Sequence, residues 1–183
     1  MKVLIFGAGG VGSVVGGFLA RTGHEVSLLG QASHLEAIRK NGLLITGIWG
    51  DYRIKAFELY TDAGQIKKAG VSFDLIILTV KSENTEEAVL QLSGLMNENT
   101  MLFFLQDGSQ DVEMILKKIP RENFLKGRTS FEAETAAPGV VKVTATSGPI
   151  GVNSFPGATP KLSAERMAAT LNASKIQAKT ISV

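Results

Sequence analysis

Apolar positions along the chain fall into short runs separated by stretches with helical spacing, and the alternation starts at the second residue. Lys2 to Phe6 is a β-branched and aliphatic run closed by Gly7, and the small residues that follow predict a helix to Arg21, ended by Gly23. Glu25 to Leu29 reads as a second strand. Ser33 is placed to cap a helix through Lys40, with Glu36 three residues on as a capping box requires, and Asn41-Gly42 stops it. Leu43 to Thr46 and Tyr52 to Leu59 predict strands joined near Gly47 and Gly50, followed by a short helix over Asp62 to Ala69. Asp74 to Val80 is a continuous apolar run of the kind found in a strand buried on both faces.

The second half begins in the same way. Glu83 to Leu92 has helical spacing, Thr100 to Leu105 is another buried strand, and Asp111 to Ile119 is a helix that stops before Pro120. After Asn123 the pattern turns strand-like, over Phe124 to Glu134, Val140 to Thr144 and Pro149 to Val152. A loop with Pro156, Gly157 and Pro160 leads to a helix over Ser163 to Leu171 and a last strand over Ile176 to Val183. Strand, helix and strand in repeated order predict an α/β fold with a mostly parallel sheet, helices on both faces and added strands in the C-terminal half. A length of 183 residues suits one such domain.

Gly7-Ala8-Gly9-Gly10-Val11-Gly12 fits G-x-G-x-x-G and lies directly after a strand and at the opening of a helix, which is the Rossmann-like placement for dinucleotide binding. In that role Gly7 permits the turn, Gly9 lets the backbone approach a pyrophosphate, and Gly12 lets helix and strand pack closely. Gly10 and Val11 then stand at the helix N-terminus, where N–H groups and the positive dipole end meet the phosphates. The alternative reading of the same glycines is tight packing of a small-residue helix on a sheet. At the end of the second strand an acid selects a ribose hydroxyl and an arginine a 2′-phosphate. Leu29-Gly30-Gln31 makes neither choice, since Gln31 can hydrogen-bond either group.

Composition narrows the classes. Nineteen Lys and Arg against 17 Asp and Glu give a net charge of +2 without a basic run, so nucleic acid is not expected as a partner. There is no cysteine, which excludes disulfides, thiolate metal sites and a cysteine nucleophile. Val3 to Ala20 carries no charge, but six of its residues are glycine, each costing about 1 kcal/mol relative to alanine in a helix. No membrane role is expected, and the cytoplasm is the expected location. His24 reads as a turn residue and His34 as a first-turn helix residue, neither with a companion acid or ligand that would suggest catalysis or a metal site. Trp49, between Gly47 and Gly50, reads as a hairpin packing residue, and Glu132 and Glu134 as solvent-facing.

The residues resemble the N-terminal NADP-binding domain of the ketopantoate reductase (2-dehydropantoate 2-reductase) family over nearly the whole chain. After the glycine fingerprint, the stretches from Phe18 to Val26 and from His34 to Leu43 are similar to the family opening. Leu78-Thr79-Val80-Lys81-Ser82 resembles the strand whose lysine approaches the cofactor, and Leu105-Gln106-Asp107-Gly108 stands in place of a Gln-Asn-Gly turn. Thr129-Ser130-Phe131, Ala133-Glu134 and Pro138-Gly139-Val140-Val141 resemble the segment that follows.

The resemblance implies hydride transfer from NADP(H), with NAD(H) as the alternative cofactor, to a small 2-keto acid, and a homodimer. Gly7, Gly9, Gly10, Val11, Gly12, Gln31, Lys81 and Gln106 become the cofactor-binding candidates and Asp107 the substrate-binding candidate. The family's catalytic lysine and a substrate-binding glutamate belong to a helical C-terminal domain expected beyond Val183, so no catalytic residue and no metal ligand is assigned here. Gln31 stands where the family commonly has arginine, and Asp107 where it has asparagine. A related dehydrogenase with another carbonyl substrate, and a dinucleotide-binding sensor without catalysis, are the other readings.

Overall fold

The computed structural model describes residues 1–106, 111–155 and 160–181. The chain runs β1 (Lys2–Phe6), α1 (Gly10–Arg21), β2 (Glu25–Leu29), α2 (Ala32–Asn41), β3 (Leu43–Gly47), β4 (Tyr52–Ile54), β5 (Glu58–Tyr60) and α3 (Ala63–Ala69). It continues through β6 (Leu75–Leu78), α4 (Thr85–Ser93), β7 (Met101–Leu105), α5 (Asp111–Leu116), β8 (Phe124–Arg128), β9 (Phe131–Ala137), β10 (Val140–Thr146), β11 (Ile150–Asn153), α6 (Ala164–Ala173) and β12 (Ala178–Thr180).

The main sheet has eight strands in the order β12-β11-β8-β7-β6-β1-β2-β5. Every pair is parallel except β8 with β11, so the predicted α/β fold with a mostly parallel sheet is the one observed. The chain leaves β1 toward β2 and β5 on one side and returns to build β6, β7 and β8 on the other. The order therefore reverses at β1, and ligands of open α/β sheets bind beyond the carboxyl ends of the strands at such a point.

Alternation along β1 supplies both faces of this sheet. Val3 and Ile5 pack with Val14, Val15, Phe18 and Leu19 of α1 and with Met167 and Leu171 of α6. Leu4 and Phe6 pack on the opposite face with Ile66 of α3, Val89 and Leu92 of α4 and Ile115 of α5. Side chains of this size, fully buried, each contribute roughly 1.5 to 3 kcal/mol of transfer free energy.

The added strands form a second sheet, in the order β4-β3-β10-β9, whose Leu43, Ile45, Val141 and Val143 join the core under α1. This sheet corrects two expectations. Tyr52 to Leu59 is two strands in different sheets, broken where the Phe57 N–H bonds back to the Lys55 carbonyl at 3.1 Å. Phe124 to Glu134 likewise breaks at Thr129-Ser130, with β8 in the main sheet and β9 in the second. The cap of α2 is also corrected: Gln31 occupies the capping position, the helix starts at Ala32, and Ser33 lies inside the first turn. Asp62 and Ser163 do cap their helices, accepting from the N–H of Gln65 and Arg166. Trp49 packs as expected, 4.7 Å from Phe131 and 5.9 Å from Phe18 between ring centroids, and Glu132 and Glu134 are exposed.

Candidate functional site

The turn from β1 into α1 is tied to both neighbouring strands. The N–H groups of Gly7 and Ala8 donate to the Leu29 carbonyl at the end of β2, at 3.0 and 2.8 Å. Thr79 Oγ1, just past β6, donates to the Gly7 carbonyl at 2.8 Å. Gly7 has φ 110°, a backbone conformation that L side chains rarely adopt, and a Cβ there would lie 2.8 Å from the Val80 nitrogen.

The remaining three glycines of the fingerprint divide by what surrounds them. A Cβ on Gly12 would lie 2.3 Å from the Gly7 carbonyl oxygen, and one on Gly10 would lie 2.1 Å from the Ala133 carbonyl oxygen of β9. Gly9 differs: it is exposed, its φ is −85°, and no described residue lies within 4 Å of where a Cβ would be. Gly10 and Gly12 are therefore glycines because protein backbone or side chain fills the space. Gly9 is demanded by nothing among the described residues.

The helix ladder of α1 starts with the Ser13 N–H donating to the Gly9 carbonyl at 2.9 Å. The N–H groups of Gly10, Val11 and Gly12 are thus the unpaired first-turn donors that every helix leaves. No side chain among the described residues caps them, and no acidic residue lies in the first turn. A pyrophosphate fits this arrangement: three donors, the positive end of the helix dipole and an open backbone at Gly9 converge beyond the carboxyl end of β1.

Gln31 and Lys81, two of the other candidates, are exposed and flank this turn. Gln31 follows β2 and precedes α2, with its side chain free of any capping bond. Lys81 follows β6, one residue after Val80, which itself packs on Gly7. Gln106, at the end of β7, is buried; its Nε2 donates to the Val80 carbonyl and its Oε1 accepts from Thr85 Oγ1 at 3.4 Å. It connects the β7 end to the segment carrying Lys81. Asp107 lies outside the described residues.

Sequence reasoning missed two supports of this turn. One is the Thr79 hydroxyl, although Thr79 lies in the block with Lys81. The other is His34, which is 4% exposed and lies on α2 between α1 and the turn joining β9 to β10. Its Nδ1 accepts from the Gly139 N–H at 3.1 Å, and its Nε2 lies 3.1 Å from Ser13 Oγ. Burial lowers its pKa below 6.5, favouring the neutral ring. No signal local to His34 points to these partners.

The comparisons with known proteins agree with this geometry. A profile of the family described as Ketopantoate reductase PanE/ApbA matches residues 3–157. The chain belongs to the ketopantoate reductase family. It is 37% identical over 142 residues to a 2-dehydropantoate 2-reductase of Pyrococcus horikoshii, covering 78% of this chain and 44% of the relative. It is 34% identical over 143 residues to that of Halobacterium salinarum, covering 78% of this chain and 46% of the relative. This ketopantoate reductase family chain therefore spans less than half the length of these curated relatives.

Among solved structures, the 2-dehydropantoate 2-reductase of Geobacter metallireducens superposes with a TM-score of 0.87 at 25% identity, over 99% of this chain and 58% of that one. D-mandelate dehydrogenase, solved with NADH and anilino(oxo)acetate, superposes with a TM-score of 0.85 at 28% identity, over 99% of this chain and 57% of that one. Membership of the ketopantoate reductase family implies a nicotinamide dinucleotide as cofactor. Among the described residues no helix is long and apolar enough to cross a membrane, and no group of three or more His, Asp or Glu could hold a metal ion.

Proposed function

We propose that this chain is the dinucleotide-binding part of an oxidoreductase that reduces a 2-keto acid of the 2-dehydropantoate type with NADPH. The carrying observation is the open backbone at Gly9 in front of the unpaired N–H groups of Gly10, Val11 and Gly12, at the place where the strand order reverses. Those donors would hold the pyrophosphate, and Gln31 would meet the adenosine ribose or its 2′-phosphate. Lys81 and Gln106, on the opposite side of β1, belong to the nicotinamide half. The cofactor, when bound, supplies the hydride. The protein's own part is to bind, orient and exclude water around the reacting carbonyl.

NADPH is favoured over NADH only modestly in this reading, because a neutral amide at Gln31 neither pairs with a phosphate as arginine does nor repels it as aspartate does. A cytoplasmic location accompanies the reading. The experiment is to follow NADPH oxidation by the full-length protein with 2-dehydropantoate and with a simple ketone as control. Oxidation that requires the 2-keto acid supports the assignment. A protein that binds NADPH yet leaves it unoxidised whichever 2-keto acid is supplied would be a sensor rather than a reductase.

A further inference from the structure

Three cations converge where α2 ends. Lys40 lies in the last turn of the helix, and Arg53 and Lys55 stand on either side of Ile54, which is buried in the core, so the two cations share the opposite face at the end of β4. Gly42 lies beneath them: its φ is 80°, and a Cβ there would be 2.9 Å from Lys55 Cγ and 3.4 Å from Arg53 Cγ. The three side chains line a cavity of about 490 Å³ whose wall includes the Pro138-Gly139 turn between β9 and β10. No Asp or Glu lines it among the described residues.

The negative end of the α2 dipole accounts for part of this cluster, since Lys40 stands in the last turn and Arg53 Nη1 donates to the Asn41 carbonyl at 3.0 Å. It does not account for the rest. Among the described residues Arg53 uses one of its five N–H donors in this way, and Lys55 follows β4 rather than any helix. Lys55 also lines a neighbouring cavity that holds Glu25 and Glu58, which leaves Lys40 and Arg53 at the acid-free end. Like charges gathered on one cavity repel each other, and a bound anion removes that repulsion.

We infer that Lys40, Arg53 and Lys55 form a binding site for a di- or triphosphate group, separate from the glycine turn. All three residues are exposed, so each pairing is screened by solvent, and a singly charged acid gains too little to stay. A chain of phosphates engages the three cations together, and the planar fork of Arg53 suits two phosphate oxygens at once. Ten residues of α2 at 1.5 Å each place the cluster roughly 14 Å from Gln31, at the other end of the helix. The site therefore takes a second ligand, and the inference stands apart from the oxidoreductase reading.

The test titrates tripolyphosphate, pyrophosphate and inorganic phosphate separately into isotope-labelled full-length protein while following backbone amide resonances. The inference expects saturable shifts at Gly42 and Gly139, with tripolyphosphate bound about tenfold or more tightly than inorganic phosphate. The amides of Gly10, Val11 and Gly12 report the glycine turn separately, so phosphate taken up there is told apart from phosphate at this site. In a double variant, Arg53→Gln with Lys55→Gln, binding read at Gly42 and Gly139 should weaken by about tenfold or more, while the response of the glycine turn stays the same. The conservative variant Lys55→Arg keeps the charge and should bind within about threefold of the unmodified protein. All of these positions are exposed, so the fold is expected to tolerate the changes. Absence of a saturable shift at Gly42 and Gly139, equal affinity for all three anions, or unchanged affinity in the double variant would overturn the inference. So would a loss in Lys55→Arg as large as in the double variant, because the shape of the side chain over Gly42, and not its charge, would then govern binding.

Discussion

His34 accepts the backbone N–H of Gly139 through Nδ1 at 3.1 Å, which fixes the remaining ring proton on Nε2 and makes the ring the donor to Ser13 Oγ. One neutral imidazole thus joins α1, just past the glycine turn, to the turn between β9 and β10. A protonated ring would place an N–H against the Gly139 N–H. The pKa of His34 is lowered from 6.5 by burial, so the unfolded chain binds this proton more readily than the folded one. Its contribution is fully present above about pH 6.5 and is lost as pH falls from there through the folded pKa, with a slope of at most about 1.4 kcal/mol per pH unit. His24 is shifted in the same direction by burial and by the N-terminal amine 3.4 Å away. Urea unfolding between pH 5 and 8 should therefore show stability rising with pH up to about 6.5, and less steeply in a His34→Gln variant.

Replacing His34 by Ala removes both of its hydrogen bonds at every pH. It leaves the Gly139 N–H and the Ser13 hydroxyl without partners and opens a cavity, which together predict a loss of about 2 to 4 kcal/mol. Denaturant unfolding at pH 7.5 measures it, and a loss below 1 kcal/mol would mean that water replaces the ring without penalty.

Gly9 and Gly10 are adjacent and should respond in opposite ways. Gly10→Ala places a Cβ 2.1 Å from the Ala133 carbonyl oxygen, and overpacking against backbone predicts destabilisation of at least 1 to 3 kcal/mol. Gly9→Ala meets nothing within 4 Å and keeps an ordinary φ of −85°, so its melting temperature should stay close to that of the unmodified chain. Paired thermal melts decide this, and comparable losses in both variants would contradict the division of roles among the glycines.

The main sheet was legible because its strands are short apolar runs closed by Gly or polar residues, as in Lys2 to Phe6 and Leu75 to Leu78. The fingerprint could be placed because it falls between such a strand and a helix. What could not be read is which sheet a strand joins. Tyr52–Ile54 and Glu58–Tyr60 look like one alternating stretch, and only pairing with β3 in one sheet and β2 in the other separates them. His34 was placed correctly on its helix, but its partner Gly139 is 105 residues away, and no local pattern announces a contact of that range.

In the proposed function Gln31 sets cofactor choice. Its side chain is exposed at the end of β2 and makes no capping bond, so it is free to be exchanged without loss of fold. An arginine adds a charge-assisted pair worth roughly 1.5 to 3 kcal/mol with a phosphate, against about 1 kcal/mol for an amide. Gln31→Arg should tighten NADPH by about tenfold and leave NADH within twofold. Dissociation constants for both cofactors and both variants measure it, and a hundredfold preference for NADPH in the unmodified chain would assign the phosphate to another cation.

Binding at the glycine turn is tested most directly by titrating NADPH into the isotope-labelled chain and its Gly9→Val variant while following backbone amide resonances. Saturable binding is predicted, with the largest shifts at the amides of Gly10, Val11 and Gly12 and at Gln31, and with binding weakened at least tenfold in the folded variant. Absence of binding to a folded chain, or equal affinity in the variant, would contradict a pyrophosphate seated over Gly9.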